Sequence, residues 1–428
     1  MRLRAPLLLA GLGACPAAMA IDPYLPRSAV PPAAVATAAE SANTFNPAIS
    51  VIFDGVYYQD SADGETSERL EAFGAGLLDD EHDHDESGTH EHDEGGHGHE
   101  LEEGFSLRET EFLFTGAIDP YFGGLVDLVI ADAEDVELEE AYLWTTRLPE
   151  GWQLKFGRFR SEFGYLNRKH PHAWYFTDLP LANRYLLGEE GLIDNGVQLN
   201  WLASAPFYLR LGAEVLQGDA ESNAIVGPLE DTEPFGLDDD DGPRLALGFI
   251  KFAPELGYAH TLQLGLSAAW TDQFRQAVDE EAGLAVEGET QLYGADAAYL
   301  YDAPGAGGQG DLWLQAELFH RRQSLEPGGG EPMLPDTDPR ATGGYAQAVY
   351  GVAPRWQSGL RLEALELGSQ TDAERQVRRA SVNLSFLPTE FSRIRGQIQQ
   401  LDLEDTSGIT QFWLQYTLAL GAHGAHVF

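Results

Sequence analysis

Between Asp79 and Glu103 the chain carries His82, His84, His90, His92, His97 and His99 beside twelve acids and no base, which is half of its 12 histidines. Closely spaced imidazoles on a flexible segment chelate Zn, Ni or Cu, and the surrounding carboxylates concentrate cations. Ordering such a segment around an ion costs conformational entropy, so the pattern predicts a weak, exchanging divalent-cation site and no required cofactor. A solvated acidic loop with incidental histidines fits the same residues. Two smaller groups carry less. Asp238 to Asp241 lacks the spaced ligands of a calcium loop and reads as a solvated acid run, and His423 and His426 read as interfacial side chains near the end of the chain.

A second segment, 164–190, combines Arg168, Lys169, His170, His172, Arg184, Glu189 and Glu190 with Trp174, Tyr175 and Phe176. A loop in water has little use for three adjacent aromatic rings. The segment is therefore predicted to fold into an enclosure, with its rings on the wall and its charges at a constriction, where Arg168 and Lys169 narrow the path and attract anions. Arg210, Arg361, Arg379, Arg393 and Arg395 share the polar parity of their segments with Glu137, Glu139, Glu214, Glu317 and Glu363. These are either facing charges that set a transverse field across a pore or ordinary wall ion pairs.

The elements that position these residues follow from composition and period. Among 428 residues, 47 Gly, 16 Tyr, 21 Phe and 8 Trp stand beside 3 Met and 1 Cys, a usage that leans to β structure. Acids outnumber bases 69 to 26, for a net charge of −43, so no surface tracks phosphates and nucleic acid is excluded as a partner. No Gly-x-Ser-x-Gly or comparable nucleophile arrangement occurs, which argues against an enzyme. Residues 1–20 read as a signal peptide, with Arg2 and Arg4, an apolar centre and Ala18-Met19-Ala20, so the mature chain is expected to begin at Ile21. The alternative is a lipobox at Leu12 to Cys15, which would make a lipoprotein anchored at Cys15. Residues 21–45 are a Pro/Ala-rich leader, and no run of about 18 apolar residues follows that could form a spanning helix.

From 46 to 428 the sequence alternates. Leu209, Leu211, Ala213 and Val215 oppose Arg210, Gly212 and Glu214, and Ile394, Gly396 and Ile398 oppose Arg393, Arg395, Gln397 and Gln399. This is the period of strands with one apolar and one polar face. About sixteen such segments begin near Ile49, Phe105, Tyr121, Val136, Trp152, Gly191, Phe207, Arg244, Thr261, Thr290, Asp311, Gly343, Trp356, Val377, Phe391 and Ile409. Short connections, such as Asp119-Pro120 and Ala353-Pro354-Arg355, alternate with long polar ones at 59–104, 164–190, 218–243, 273–289 and 323–342. That alternation predicts an all-β, transmembrane antiparallel barrel in a Gram-negative outer membrane, with short periplasmic turns and long external loops amid lipid and lipopolysaccharide. Trp144, Trp152, Trp201, Trp313 and Trp356 fall at strand ends beside short turns and are expected to form the periplasmic aromatic girdle, while Phe428 resembles the terminal aromatic of barrel assembly signals. Sixteen strands enclose more space than their side chains fill, so the lumen should hold water or a folded-in segment. The expected activity is a channel for small hydrophilic or charged solutes or metal ions. Its rival is a metal-binding receptor or buffer with a plugged barrel.

Glu139-Glu140-Ala141-Tyr142-Leu143, followed by Leu154-Lys155-Phe156-Gly157-Arg158-Phe159-Arg160-Ser161-Glu162-Phe163-Gly164, resembles the strand pair of phosphate-selective porin O/P-like proteins. The resemblance implies a sixteen-stranded outer-membrane porin, a homotrimer, whose third external loop folds inward. After residue 20, lysine occurs only at Lys155, Lys169 and Lys251, so the lysine-rich anion path that the family name suggests is missing.

Overall fold

A computed structural model describes residues 47–62, 66, 103–131, 135–219, 223–229, 233–237, 242–279, 283–328, 337–368, 375–403 and 408–421. Residues 1–45, with Cys15 and the expected signal peptide and leader, the six histidines of 79–103, Asp238 to Asp241, His423, His426 and Phe428 lie outside the described residues.

Sixteen strands follow one another along the chain: β1 Ala48–Asp60, β2 Gly104–Ala117, β3 Phe122–Ala131, β4 Asp135–Thr145, β5 Trp152–Arg160, β6 Ile193–Leu202, β7 Tyr208–Leu216, β8 Leu245–Ala253, β9 His260–Asp279, β10 Leu284–Tyr301, β11 Leu312–Pro327, β12 Arg340–Ala353, β13 Trp356–Gly368, β14 Arg375–Thr389, β15 Ser392–Leu403 and β16 Ile409–Gly421. Each pairs antiparallel with its sequence neighbours. β1 closes the ring on β16 in a register running from Ser50 opposite Gly421 to Asp60 opposite Gln411. The short connections gather at one end of the barrel and the longer ones at the other, with two corrections. The connection expected at 273–289 is mostly strand, because β9 and β10 run on to 279 and from 284. Phe274, Val286 and Leu325 pack together there and keep the hairpin apolar on its inner side. β3 likewise ends at Ala131 and β4 begins at Asp135, which puts two strand ends close in sequence at the loop end.

The two faces invert the arrangement of a water-soluble protein. Outward positions expose Leu360, Leu362, Val382, Leu384, Ile394, Ile398, Leu414 and Leu418, while inward positions bury Arg361, Glu363, Ser381, Asn383, Arg395, Gln397 and Gln415. Water does not favour such an exterior, whereas hydrocarbon does. Near the turn end, paired rings mark the girdle: Trp152 with Trp201 at 6.2 Å, Phe207 with Phe252 at 5.3 Å and Trp356 with Phe386 at 4.7 Å. Trp144 and Trp313 do not join it. A bulge inserts Glu139 into β4 opposite Asp127 and Leu128 of β3, which shifts the parity after it, and Trp144 packs beside Leu113 and Leu125. Trp313 alternates with the outward Leu314 and meets Phe176 and Leu300 inside.

The lumen is also layered. Toward the loop end, the inward face turns from polar to apolar along single strands. Leu365 and Leu367 follow Arg361 and Glu363 on β13, and Leu401 and Leu403 follow Gln397 and Gln399 on β15. With Val377, Ile409, Leu247, Phe249 and Phe319 these side chains surround a short helix, α1 Leu181–Leu187, and Ile225 and Val226 of the 217–244 connection. Each leucine so buried contributes about 1.5–3 kcal/mol. The folded-in segment is thus a core built inside the barrel.

The outward face sets a direct expectation. Ile398→Arg, placed in the middle of the exposed band on β15, should destabilise the barrel by about 2–4 kcal/mol in denaturant titrations in lipid vesicles. An unchanged midpoint would mean that this face does not meet hydrocarbon.

Candidate functional site

Residues 161–192 leave β5, cross the lumen and return to β6. Their entry is fixed by Glu214 on β7, whose carboxylate accepts from Ser161 Oγ at 2.5 Å, the Glu162 amide at 3.0 Å and Gln198 Nε2 at 2.6 Å. Gly164 then takes a left-handed φ of +69°, and a Cβ added there would collide with the Glu317 carboxylate. That close approach lets the amides of Tyr165 and Leu166 donate to Glu317 Oε1. Asn183 Nδ2 on the returning limb and Tyr345 Oη donate to Glu317 Oε2 at 3.2 and 2.7 Å. One wall carboxylate on β11 therefore clasps both limbs of the loop.

Most of the wall arginines also serve the loop. Arg361 Nη2 and Arg379 Nη1 pair with Asp178 at 2.7 and 2.8 Å, and Glu363 accepts from both guanidinium groups and from the Leu181 amide at 2.7 Å. Arg379 donates to the Leu179 carbonyl, Arg393 to those of His172 and Trp174, and Arg395 to that of Trp174. Arg361 also stacks over Phe176 at 4.5 Å. Arg361 and Arg395 are each only 1% exposed, so their donors meet carbonyls and carboxylates of the protein rather than open water. Arg210 pairs with Glu162 at 2.9 Å. Gln397, on the same wall, donates to Asp178 and accepts from the Thr177 amide.

The opposite charge lines β2 to β4. Glu111, Asp127, Glu139 and Glu140 project inward there and meet His170 and His172 of the loop. His170 Nδ1 lies 3.2 Å from Glu139 Oε2 and 3.3 Å from Asp127 Oδ2, and its Nε2 lies 3.0 Å from Glu140 Oε2. His172 Nδ1 is 2.7 Å from Glu111 Oε2, and the two imidazoles stack at 5.7 Å. Arg160 pairs with Glu139 and donates to the Glu190 carbonyl. Burial opposes charge on His170, but Glu111, Glu140 and Asp127 override it and raise its pKa to about 9. The imidazolium thus serves these acids as a counterion. Glu111, Asp127 and His170 each present a ligand atom within 4.8 Å of the others, a set suited to a metal ion.

Arg168 and Lys169 are placed differently from the expected anion lure. The Lys169 ammonium sits 4.4 Å over the Tyr165 ring, and Arg168 covers the same ring at 5.3 Å. Burial, reinforced by Arg168, lowers the Lys169 pKa well below its ordinary value. Arg184 and Glu189 form a partly exposed pair at 2.7 Å. Glu137 takes an inward position opposite Val129. Sequence reasoning missed Glu111, Asp127, Glu140 and Arg160 as site residues. A signal existed for Asp127, the one charged residue in the apolar run of β3, and for Glu111, whose parity opposes Phe112 and Phe114.

No protein-family model matches the chain. An uncharacterized protein of Aquifex aeolicus (strain VF5) is 37% identical over 353 residues, covering 78% of this chain and 73% of that one. Among solved structures, the outer membrane channel DcaP of Acinetobacter baumannii aligns with a TM-score of 0.51 at 11% identity, covering 88% of this chain and 96% of that one. An anion-selective porin from Comamonas acidovorans aligns at 0.50 and 10% identity, over 87% and 98% of the two chains. The trimer form of OmpT, an outer membrane protein of Vibrio cholerae, aligns at 0.50 and 8% identity, again over 87% and 98%. At these identities the likeness is one of fold, and the fold is that of outer-membrane porins. A closed sixteen-stranded cylinder with an apolar exterior belongs in an outer membrane of the Gram-negative type.

The arginine tethers can be tested at Asp178. Asp178→Ala leaves Arg361 and Arg379 without their loop carboxylate, a loss of about 3–5 kcal/mol for a broken buried pair. Limited proteolysis in detergent should then cut within 164–190 while the barrel remains closed. Equal protection of the loop would show that the arginines do not hold it.

Proposed function

This chain belongs to the same family as the Aquifex aeolicus protein, and we propose that it is an outer-membrane porin, a channel rather than an enzyme, for small hydrophilic or charged solutes. The observation that carries the reading is a closed sixteen-stranded barrel with its third loop-end connection strapped inside the lumen. A loop held to two differently charged walls narrows the path and makes passage depend on solute size and charge. The motif shared with phosphate-selective porin O/P-like proteins agrees with this layout, whereas the scarcity of lysine argues against phosphate as the solute. The trimer belongs to the same proposal. An outward groove of about 660 Å³ floored by Ala297, Ala316, Gly344, Ala346 and Ala364 would let a second copy approach closely.

A second reading is favoured by the apolar layer around α1, which fills the lumen where a wide pore would be wet: a metal-binding surface receptor or buffer whose barrel conducts little. In both readings the histidine-acid segment 79–103 gathers divalent cations, zinc among them, at the outer mouth. Anchoring through Cys15 is the remaining alternative, and mass spectrometry of the mature amino terminus distinguishes it from cleavage before Ile21.

Single-channel recording in planar bilayers tests the proposal. A porin gives discrete conductance steps that grow when Asp178→Ala loosens the loop, whereas absence of steps from wild type and variant alike would support the plugged receptor. Deleting 79–103 should abolish most Zn²⁺ binding in calorimetry while leaving the barrel closed. Equal binding without the segment would remove its proposed role.

A further inference from the structure

We propose that Glu111, Asp127 and His170 form a divalent transition-metal site inside the barrel, distinct from the histidines of 79–103, where an ion would tie the third loop to the wall of β2 and β3. The inference goes beyond the porin reading and does not depend on conduction.

Three observations converge. The first is ligand geometry. A tetrahedral ion with bonds of about 2.0–2.2 Å holds its ligand atoms about 3.3–3.6 Å apart. His170 Nδ1 lies 3.3 Å from Asp127 Oδ2 and 3.9 Å from Glu111 Oε1, and the three ligand atoms all lie within 4.8 Å of one another, so small rotations would centre an ion among them. The second is the outer shell. A ligating imidazole characteristically gives its other ring N–H to a carboxylate, which fixes the tautomer. Glu140 stands 3.0 Å from His170 Nε2, leaving Nδ1 to face the other acids, and His172 Nδ1 holds the far oxygen of Glu111 at 2.7 Å. The third is an under-coordinated carboxylate. Asp127 is 0% exposed, with neither oxygen in a hydrogen bond of standard geometry, and it shares the single His170 imidazole, 3.3 Å away, with Glu111 and Glu140. Buried carboxylates are normally hydrogen-bonded, paired or coordinated to metal, and a divalent cation would balance the charge that one imidazole leaves.

The mixed imidazole and carboxylate set, without thiolate, suits Zn²⁺ and similar first-row divalent ions rather than Cu⁺. Because the site joins a loop residue to two strands, an occupied site would add a metal bridge to the hydrogen bonds that already hold the loop.

Titrating Zn²⁺ into the purified full-length chain with its six histidines of 79–103 changed to glutamine tests the inference. The expected result is one equivalent bound per chain. His170→Gln and Asp127→Asn should each raise the dissociation constant by roughly 100-fold, and Glu140→Gln, which alters only the outer shell, by roughly 10- to 100-fold. Heat-modifiable migration in gels verifies that each barrel is closed. Should Asp127→Asn fail to close, His170→Gln decides, since that residue lies on the loop. No Zn²⁺ binding by the loop-histidine variant, or binding unaltered by His170→Gln, would overturn the site, and neither result bears on conductance measured without Zn²⁺.

Discussion

A polypeptide in hydrocarbon has no water to satisfy its amides and carbonyls, so it must satisfy them itself, and for strands that means a ring without edges. The pairing of β1 with β16 meets that demand. Once the ring is closed, the period-two geometry of a strand sorts its residues. Outward parity must be apolar and inward parity is free to be polar. Leu360 and Leu362 outside, alternating with Arg361 and Glu363 inside, express this sorting over four consecutive residues.

Inward polarity creates a second demand, because a sixteen-stranded ring encloses more space than its own side chains fill. In this protein much of that space is occupied by backbone. A loop whose strand-like and helical stretches are short leaves many carbonyls unpaired, and guanidinium groups offer several donors each in a fixed fork. The carbonyls of His172, Trp174, Asp178 and Leu179 match Arg393, Arg395, Arg361 and Arg379 on that basis. Above that polar level the loop coils into α1 against Leu365, Leu367 and Val377, so one segment meets a polar layer with its carbonyls and an apolar layer with its leucines.

Much of the cylinder was legible because alternation and turn residues repeat along the whole chain. Most strand starts fall within three residues of those read from periodicity, and Arg361, Glu363, Arg395 and Glu317 face inward as their parity indicates. Parity fails where a bulge intervenes. Glu139 adds one residue to β4 and turns Trp144 inward, a change that no pattern of residue types announces. Length failed at 273–289, where polar residues continue as paired strands instead of forming a loop. The site was legible only in part. Trp174, Tyr175 and Phe176 mark the loop as one that packs, but the partners of Asp178 and His170 come from strands distant in sequence, and register rather than local pattern brings them together.

The loop nevertheless carries its own address. His170 and His172 precede Asp178 by a few residues, so its basic part and its acidic part are separated by the aromatic rings. The basic part lies against the acids of β2 to β4 and the acidic part against the arginines of β13 and β14. Reversing the loop in place would set Asp178 against Glu111 and Asp127, and the imidazoles against Arg361 and Arg379, costing both sets of pairs in a region of low dielectric. The charge order along these few residues therefore selects one orientation of the loop, and with it which wall a solute in the lumen would meet on each side.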